Sequence, residues 1–179
     1  MLCAVVAVAA ALGCETTRPP EVQDTAIVTA GHSFQLTSGP RPGAYNATIP
    51  HSFTNRTGSK VYIDVGCNGG RHIDFEMDED GSGEWVRFYS QDYCLVEFPF
   101  TAIEPGEVYQ GTLHVEAGVC TPGLSCLTLP AASTRFRIVW WVFSSVDRDQ
   151  YGDPIPGDPI PLEERVSNHF TFEVVEASH

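Results

Sequence analysis

The stretch that decides the fold is TRFRIVWWVF, Thr134 to Phe143. Arg135 and Arg137 alternate with Phe136 and Ile138, the period-two pattern of a strand that covers one face. From Ile138 onward both faces turn apolar, which marks a central strand covered on both sides at one end. Parity puts Trp140 with Phe136, Ile138 and Val142, on the core side. Trp141 falls on the opposite face with Val139 and Phe143. Its indole has a broad apolar face and one donor, so Trp141 is the candidate residue for a binding patch.

The same alternation recurs on either side, and no segment carries helical apolar periodicity for longer than two turns. KVYIDVGC sets Val61, Ile63 and Val65 against Tyr62 and Asp64; HIDFEM sets Ile73, Phe75 and Met77 against His72, Asp74 and Glu76. EDGSG then supplies a turn and EWVRFY a return strand, predicting one hairpin over residues 72–90. CLVEFPF, EPGE and VYQGTLHV read as a further strand pair, and NHFTFEVVE as the closing strand. Segments 25–37 and 44–55 form a weaker pair, because Pro40, Pro42 and Pro50 interrupt them and proline is confined to edges and bulges. The expectation is an all-β chain, an immunoglobulin-like antiparallel β-sandwich of about eight or nine strands.

With 179 residues, 42% of them hydrophobic, the chain can bury one sizeable core. Its 23 acidic and 10 basic residues give a net charge of −13, and Lys60 is the single lysine. Nucleic acid is therefore excluded as a partner, since phosphate binding needs clustered lysines and arginines. Residues 2–12 are apolar or small, too short for a transmembrane helix but the length of a signal-peptide core. The ALGC that follows resembles the lipobox of bacterial lipoproteins. Gly13 and Cys14 match it, while Leu12 stands one place later than usual. The resemblance implies a lipid-modified Cys14, cleavage before it, and attachment to a membrane through acyl chains. The domain reading follows: a lipoprotein leader and anchor at 1–14, a Pro19-Pro20 spacer at 15–24, and one β-sandwich domain at 25–179.

An exported chain makes Cys67, Cys94, Cys120 and Cys126 candidates for two disulfides, with three connectivities open. The Pro122-Gly123 turn in CTPGLSC favours Cys120 with Cys126, leaving Cys67 with Cys94. Such loops contribute about 2.5 and 3.5 kcal/mol in the chain-entropy picture. Asp147, Asp149, Asp153 and Asp158, spaced around Gly152, are the candidate calcium ligands, although Tyr151 takes a place where an oxygen donor is usual. Glu76, Asp78 and Asp80 with Gly81 have similar spacing, but Arg87 stands where the closing glutamate belongs, so an acidic hairpin turn is expected there. No other cofactor is indicated. No GxSxG elbow is present, and the histidines at 32, 51, 72, 114, 169 and 179 are scattered singly. No catalytic residue emerges from this reading, and an enzyme is not expected.

FTNRTGSKVYI, the GEWV strand, the EPGE turn and SNHFTFEV together resemble the immunoglobulin-like sandwich of small exported bacterial proteins. More distantly, they are similar to the BsuPI-type proteinase-inhibitor domain. The resemblance implies an interaction role and carries over no catalytic residue. The expected function is that of a membrane-anchored envelope lipoprotein and non-enzymatic binding module whose partner is another envelope protein. A proteinase inhibitor is the first alternative and an envelope hydrolase the second.

Overall fold

The structure, a computed structural model, describes residues 25–64, 73–90, 100–119 and 127–175. These residues carry β1 (Ile27–Thr29), β2 (Ser33–Ser38), β3 (Ala44–Thr54), β4 (Val61–Asp64), β5 (Ile73–Asp78), β6 (Val86–Ser90) and β7 (Phe100–Ile103). They continue with β8 (Val108–Gly118), β9 (Arg135–Trp140), β10 (Val142–Phe143), β11 (Val146–Arg148), β12 (Pro154–Pro156) and β13 (Thr171–Val175). The chain is all-β and sandwich-like.

In the first layer β3 is central. β8 pairs with it along its whole length, from Ala44 opposite Gly118 to Thr54 opposite Val108. On its other side β1 takes His51 to Phe53 and β2 takes Tyr45 and Asn46, with β13 beyond β2. The second layer is built on β9 and β10. β4 and β5 lie end to end along one side of them: Ile63 opposes Val142 and Ile73 opposes Trp140. β7 and β6 flank these in the same end-to-end way. β1 and β2 follow one another along β3, and β9 and β10 are separated by Trp141 alone. The described residues hold thirteen strands against the eight or nine expected: segment 25–37 is split into β1 and β2, TRFRIVWWVF into β9 and β10, and alternation does not foresee β11 and β12.

The 72–90 hairpin forms as expected, β5 pairing β6 around the EDGSG turn. The pair expected across EPGE does not. β7 pairs β4 and β8 pairs β3, so this turn passes from one layer to the other. Asn55 is the reason. Its backbone N–H donates to Glu107 O (3.1 Å) and its carbonyl accepts from Gly106 N–H (2.8 Å). Its fully buried side chain donates to Ser59 O and Ile103 O, at 2.9 and 2.8 Å. The two crossings between layers are thus tied together at one asparagine.

Pro50 also departs from expectation, standing in the central strand of its layer. Its carbonyl accepts from Ala30 N–H, so the position where it lacks a donor faces the gap in which β1 gives way to β2. Among the named strands of the described residues, β2 pairs with β13 in parallel rather than antiparallel.

The layers meet in a single aromatic core. Trp140, 1% exposed as its parity required, stacks on Phe53 at 5.7 Å and meets His51 edge-on at 5.1 Å. Phe170 gathers Phe34, Phe75, Phe136 and Phe172, with ring centroids 5.4 to 6.4 Å away. The chain that delivers Phe170 crosses between layers. Trp140 N–H donates to Arg165 O, Ser167 N–H to Ile138 O, and Phe136 and Phe170 exchange both backbone bonds. At the crossing, Ser167 Oγ accepts from Ile138 N–H and Asn168 Oδ1 from Thr29 N–H, each at 2.8 Å. Two side chains therefore replace the ladder where it changes partner.

Asn168→Ala leaves the Thr29 N–H buried without an acceptor, at a cost of about 1–3 kcal/mol. A urea midpoint lowered by that free energy divided by the m-value, with the slope unchanged, is the expected result.

Candidate functional site

The richest concentration of charge and aromatic surface lies on the outer face of the β6–β5–β9 sheet. Period two brings Asp74, Glu76 and Asp78 to this face of β5, and the register sets Arg137 opposite Glu76 and Arg135 opposite Asp78. Each acid closes on an arginine. Glu76 Oε2 accepts from Arg137 Nε at 2.7 Å and Nη2 at 2.5 Å. Asp78, fully buried, accepts from Arg135 and from the Gly81 and Gly83 N–H groups of the turn, at 2.8 and 3.1 Å. Asp74 Oδ2 takes Arg87 Nη2 at 2.5 Å and Trp141 Nε1–H at 3.0 Å, while its Oδ1 is buried without a hydrogen-bond partner.

Two tryptophans bracket these pairs. Arg137 lies over Trp85 at 4.4 Å, and Arg87 and Arg165 approach Trp141 at 5.8 and 5.7 Å. Trp141 does lie on the face opposite Trp140. Its ring is flanked by guanidiniums and its N–H is taken by Asp74, so the indole also clamps a buried carboxylate. Sequence reasoning missed Arg87, Arg165 and His169 as members. The acidic alternation of HIDFEMD beside the basic TRFR was the available signal.

His169 packs against Trp85 at 4.7 Å. Partial burial lowers its pKa from the ordinary 6.5, and Arg135 and Arg137 lower it further, against a weaker pull from Asp78. Burial likewise lowers the Arg165 guanidinium, with Asp74 and Glu76 opposing.

The four aspartates expected to hold calcium are not gathered as ligands. Asp147, Asp153 and Asp158 are exposed on the β11–β12 ribbon and the strand leaving it. Asp149 Oδ1 accepts from Tyr151 and Asp153 N–H at 2.8 and 2.9 Å, so its carboxylate caps a turn. Among the described residues no group of three or more His, Cys, Asp or Glu is arranged to hold a metal ion. Among these residues, too, no helix is long and apolar enough to cross a membrane. Cys14, Cys67, Cys94, Cys120 and Cys126 lie outside the described residues.

No family model matches the chain, and no curated protein matches it. Among solved structures, a target of the Northeast Structural Genomics Consortium is 11% identical, with 78% of this chain and 87% of that chain covered and a TM-score of 0.36. A protein from Archaeoglobus fulgidus is 9% identical, covering 77% and 93%, with a TM-score of 0.27. Pseudomonas fluorescens alkylpurine DNA glycosylase, bound to DNA containing an abasic site analog, is 7% identical, covering 83% and 31%, with a TM-score of 0.25. Likenesses this loose bear on neither fold nor function. The class defined by the structure itself is an all-β, sandwich-like domain with an ion-paired outer face.

His169 titrates below 6.5 in the folded chain, and an NMR titration of its ring should show this. Below about 6.5 the unfolded chain takes up a proton that the folded chain resists. Stability therefore falls as pH drops from about 6.5 to the depressed native pKa and levels off beneath it, a slope that His169→Gln should flatten.

Proposed function

We propose that the protein is a lipid-anchored lipoprotein of the bacterial envelope whose sandwich serves as a non-enzymatic interaction module. The observation that carries this reading is the closure of the acids on the outer face. Asp74, Glu76 and Asp78 are each bound to an arginine, and Asp78 also holds a turn. Such a ladder rigidifies a sheet. A general acid or base needs a carboxyl free to exchange a proton with substrate. The ALGC leader supports the anchor, and the polar spacer at 15–24 supports a domain held away from the membrane surface.

A proteinase inhibitor is the second reading, favoured by a rigid exposed ribbon, Val146–Pro156. Its tip is a closed turn, Gly152 N–H donating to Asp149 O at 3.1 Å. An inhibitor that imitates substrate would offer an extended strand instead.

Mass spectrometry of the chain expressed with its own leader in a bacterium tests the anchor. The expected mature N-terminus is Cys14 carrying acyl chains, with no free thiol at Cys67, Cys94, Cys120 or Cys126. Cys14→Ser should release the protein from the membrane fraction. An unmodified Cys14 in the mature chain would contradict the reading.

A further inference from the structure

The ribbon from Ser144 to Pro159 is ordered yet supplies no side chain to the core cluster. Two strands alone are marginal in water, so this one must be held by local means. Val146 opposes Pro156, Asp147 opposes Ile155 and Arg148 opposes Pro154. The prolines at 154, 156 and 159 stiffen the returning strand. At the tip Asp149 N–H donates to Asp153 O at 2.9 Å, and the Asp149 carboxylate caps both Tyr151 and Asp153. Arg148 Nη1 reaches Gly152 O at 2.5 Å. Gly152 has φ of 90°, which a residue with a side chain adopts only under strain. At the base Gly157 N–H donates to Ser145 O and Ser144 N–H to Asp158 O.

Of the large hydrophobic side chains on this scaffold, Tyr151 is the most exposed, ahead of Ile155. Tyr151 is 80% exposed, and the next most exposed large hydrophobic among the described residues, Val119, is 56% exposed. Single exposed apolar residues are ordinary on a protein surface. A tyrosine held out on a locked ribbon that adds nothing to the core has the features of a binding anchor: wide contact area, a polar tip and little ordering entropy left to lose. Asp147 and Asp153 are exposed on the same ribbon and Asp158 at its base, while the ribbon's one basic residue, Arg148, is turned onto Gly152 O.

We propose that the Tyr151 ribbon is the surface through which this module engages a protein partner bearing an apolar pocket with a Lys/Arg rim. Tyr151 fills the pocket and the exposed aspartates meet the rim. The assignment rests on the interaction-module reading and names its contact surface. Its kinetics should divide accordingly: the buried anchor sets the dissociation rate, and the exposed acids set the salt-dependent association rate.

The test uses the full chain in the envelope of a bacterium that exports it, with a photoreactive benzoylphenylalanine at position 151 or, as a control, at Val108, which is 52% exposed. The tagged parent chain is purified in parallel. Expected is one protein crosslinked from 151 and not from 108, its crosslinked peptide lining an apolar pocket edged by lysine or arginine. Against that purified protein, Tyr151→Ala should weaken binding about thirtyfold or more, and Tyr151→Phe by no more than about threefold. Asp147→Asn with Asp153→Asn should slow association and reduce its dependence on salt. Tyr151→Ala should leave the urea midpoint unchanged, which separates a lost contact from a lost fold. A retained partner that binds Tyr151→Ala as tightly as the parent overturns the ribbon assignment and leaves the interaction module standing. No protein retained by the parent chain overturns both.

Discussion

The chain from Arg165 to Thr171 is hydrogen-bonded to both layers, and the rest of the molecule depends on that double attachment. Backbone bonds tie it to β9 at Trp140, Ile138 and Phe136, and then to the first layer at His32. A backbone cannot serve two differently oriented ladders without a break. Ser167 and Asn168 fill the break with side-chain oxygens, both residues nearly wholly buried. Unpaired N–H groups here would each cost a full desolvation penalty. Alternation after the crossing then points Phe170 and Phe172 into the core and His169 outward onto Trp85.

This attachment also shapes the charged face. With its far edge covered by the crossing chain, β9 is central, and its outward arginines stand over β5 rather than at a free edge. Cross-strand ion pairs at exposed positions contribute about 0.2–1 kcal/mol each. Asp74 and Asp78 differ, since both carboxylates are buried and removing an arginine would strand a charge. The outer face is therefore a rigid element of the domain, and the ribbon that follows β10 projects from a firm base.

Much of this was legible in the sequence. Alternation in HIDFEM, EWVRFY and TRFRIVWW placed one hairpin and its neighbour, and parity alone separated Trp140 from Trp141. Pairing partners far apart in the chain were not legible, because single side chains choose them. Asn55 sends the EPGE turn across the layers, and Asn168 joins β1 to the closing segment. Pro50 misled for a related reason: its missing donor matters only if a partner strand stands beside it, and there β1 is giving way to β2. The aspartates of DRDQYGD misled through chemistry. A carboxylate that caps N–H groups two and four residues onward has much the same spacing as one that reaches a calcium ion, and Asp149 is the capping kind. Tyr151, an irregularity in the calcium reading, is the most exposed large hydrophobic side chain of the ribbon.

Native-state hydrogen exchange tests the central claim, that one doubly attached segment closes the sandwich. The amides of Ser167, Phe170 and Thr171 should exchange only through global unfolding, with the same denaturant dependence as those of Arg137 and Val139, which face β5 rather than the segment. Exchange of the three through local opening, while Arg137 and Val139 stay protected, would show that the layers hold together without the segment and would contradict the account.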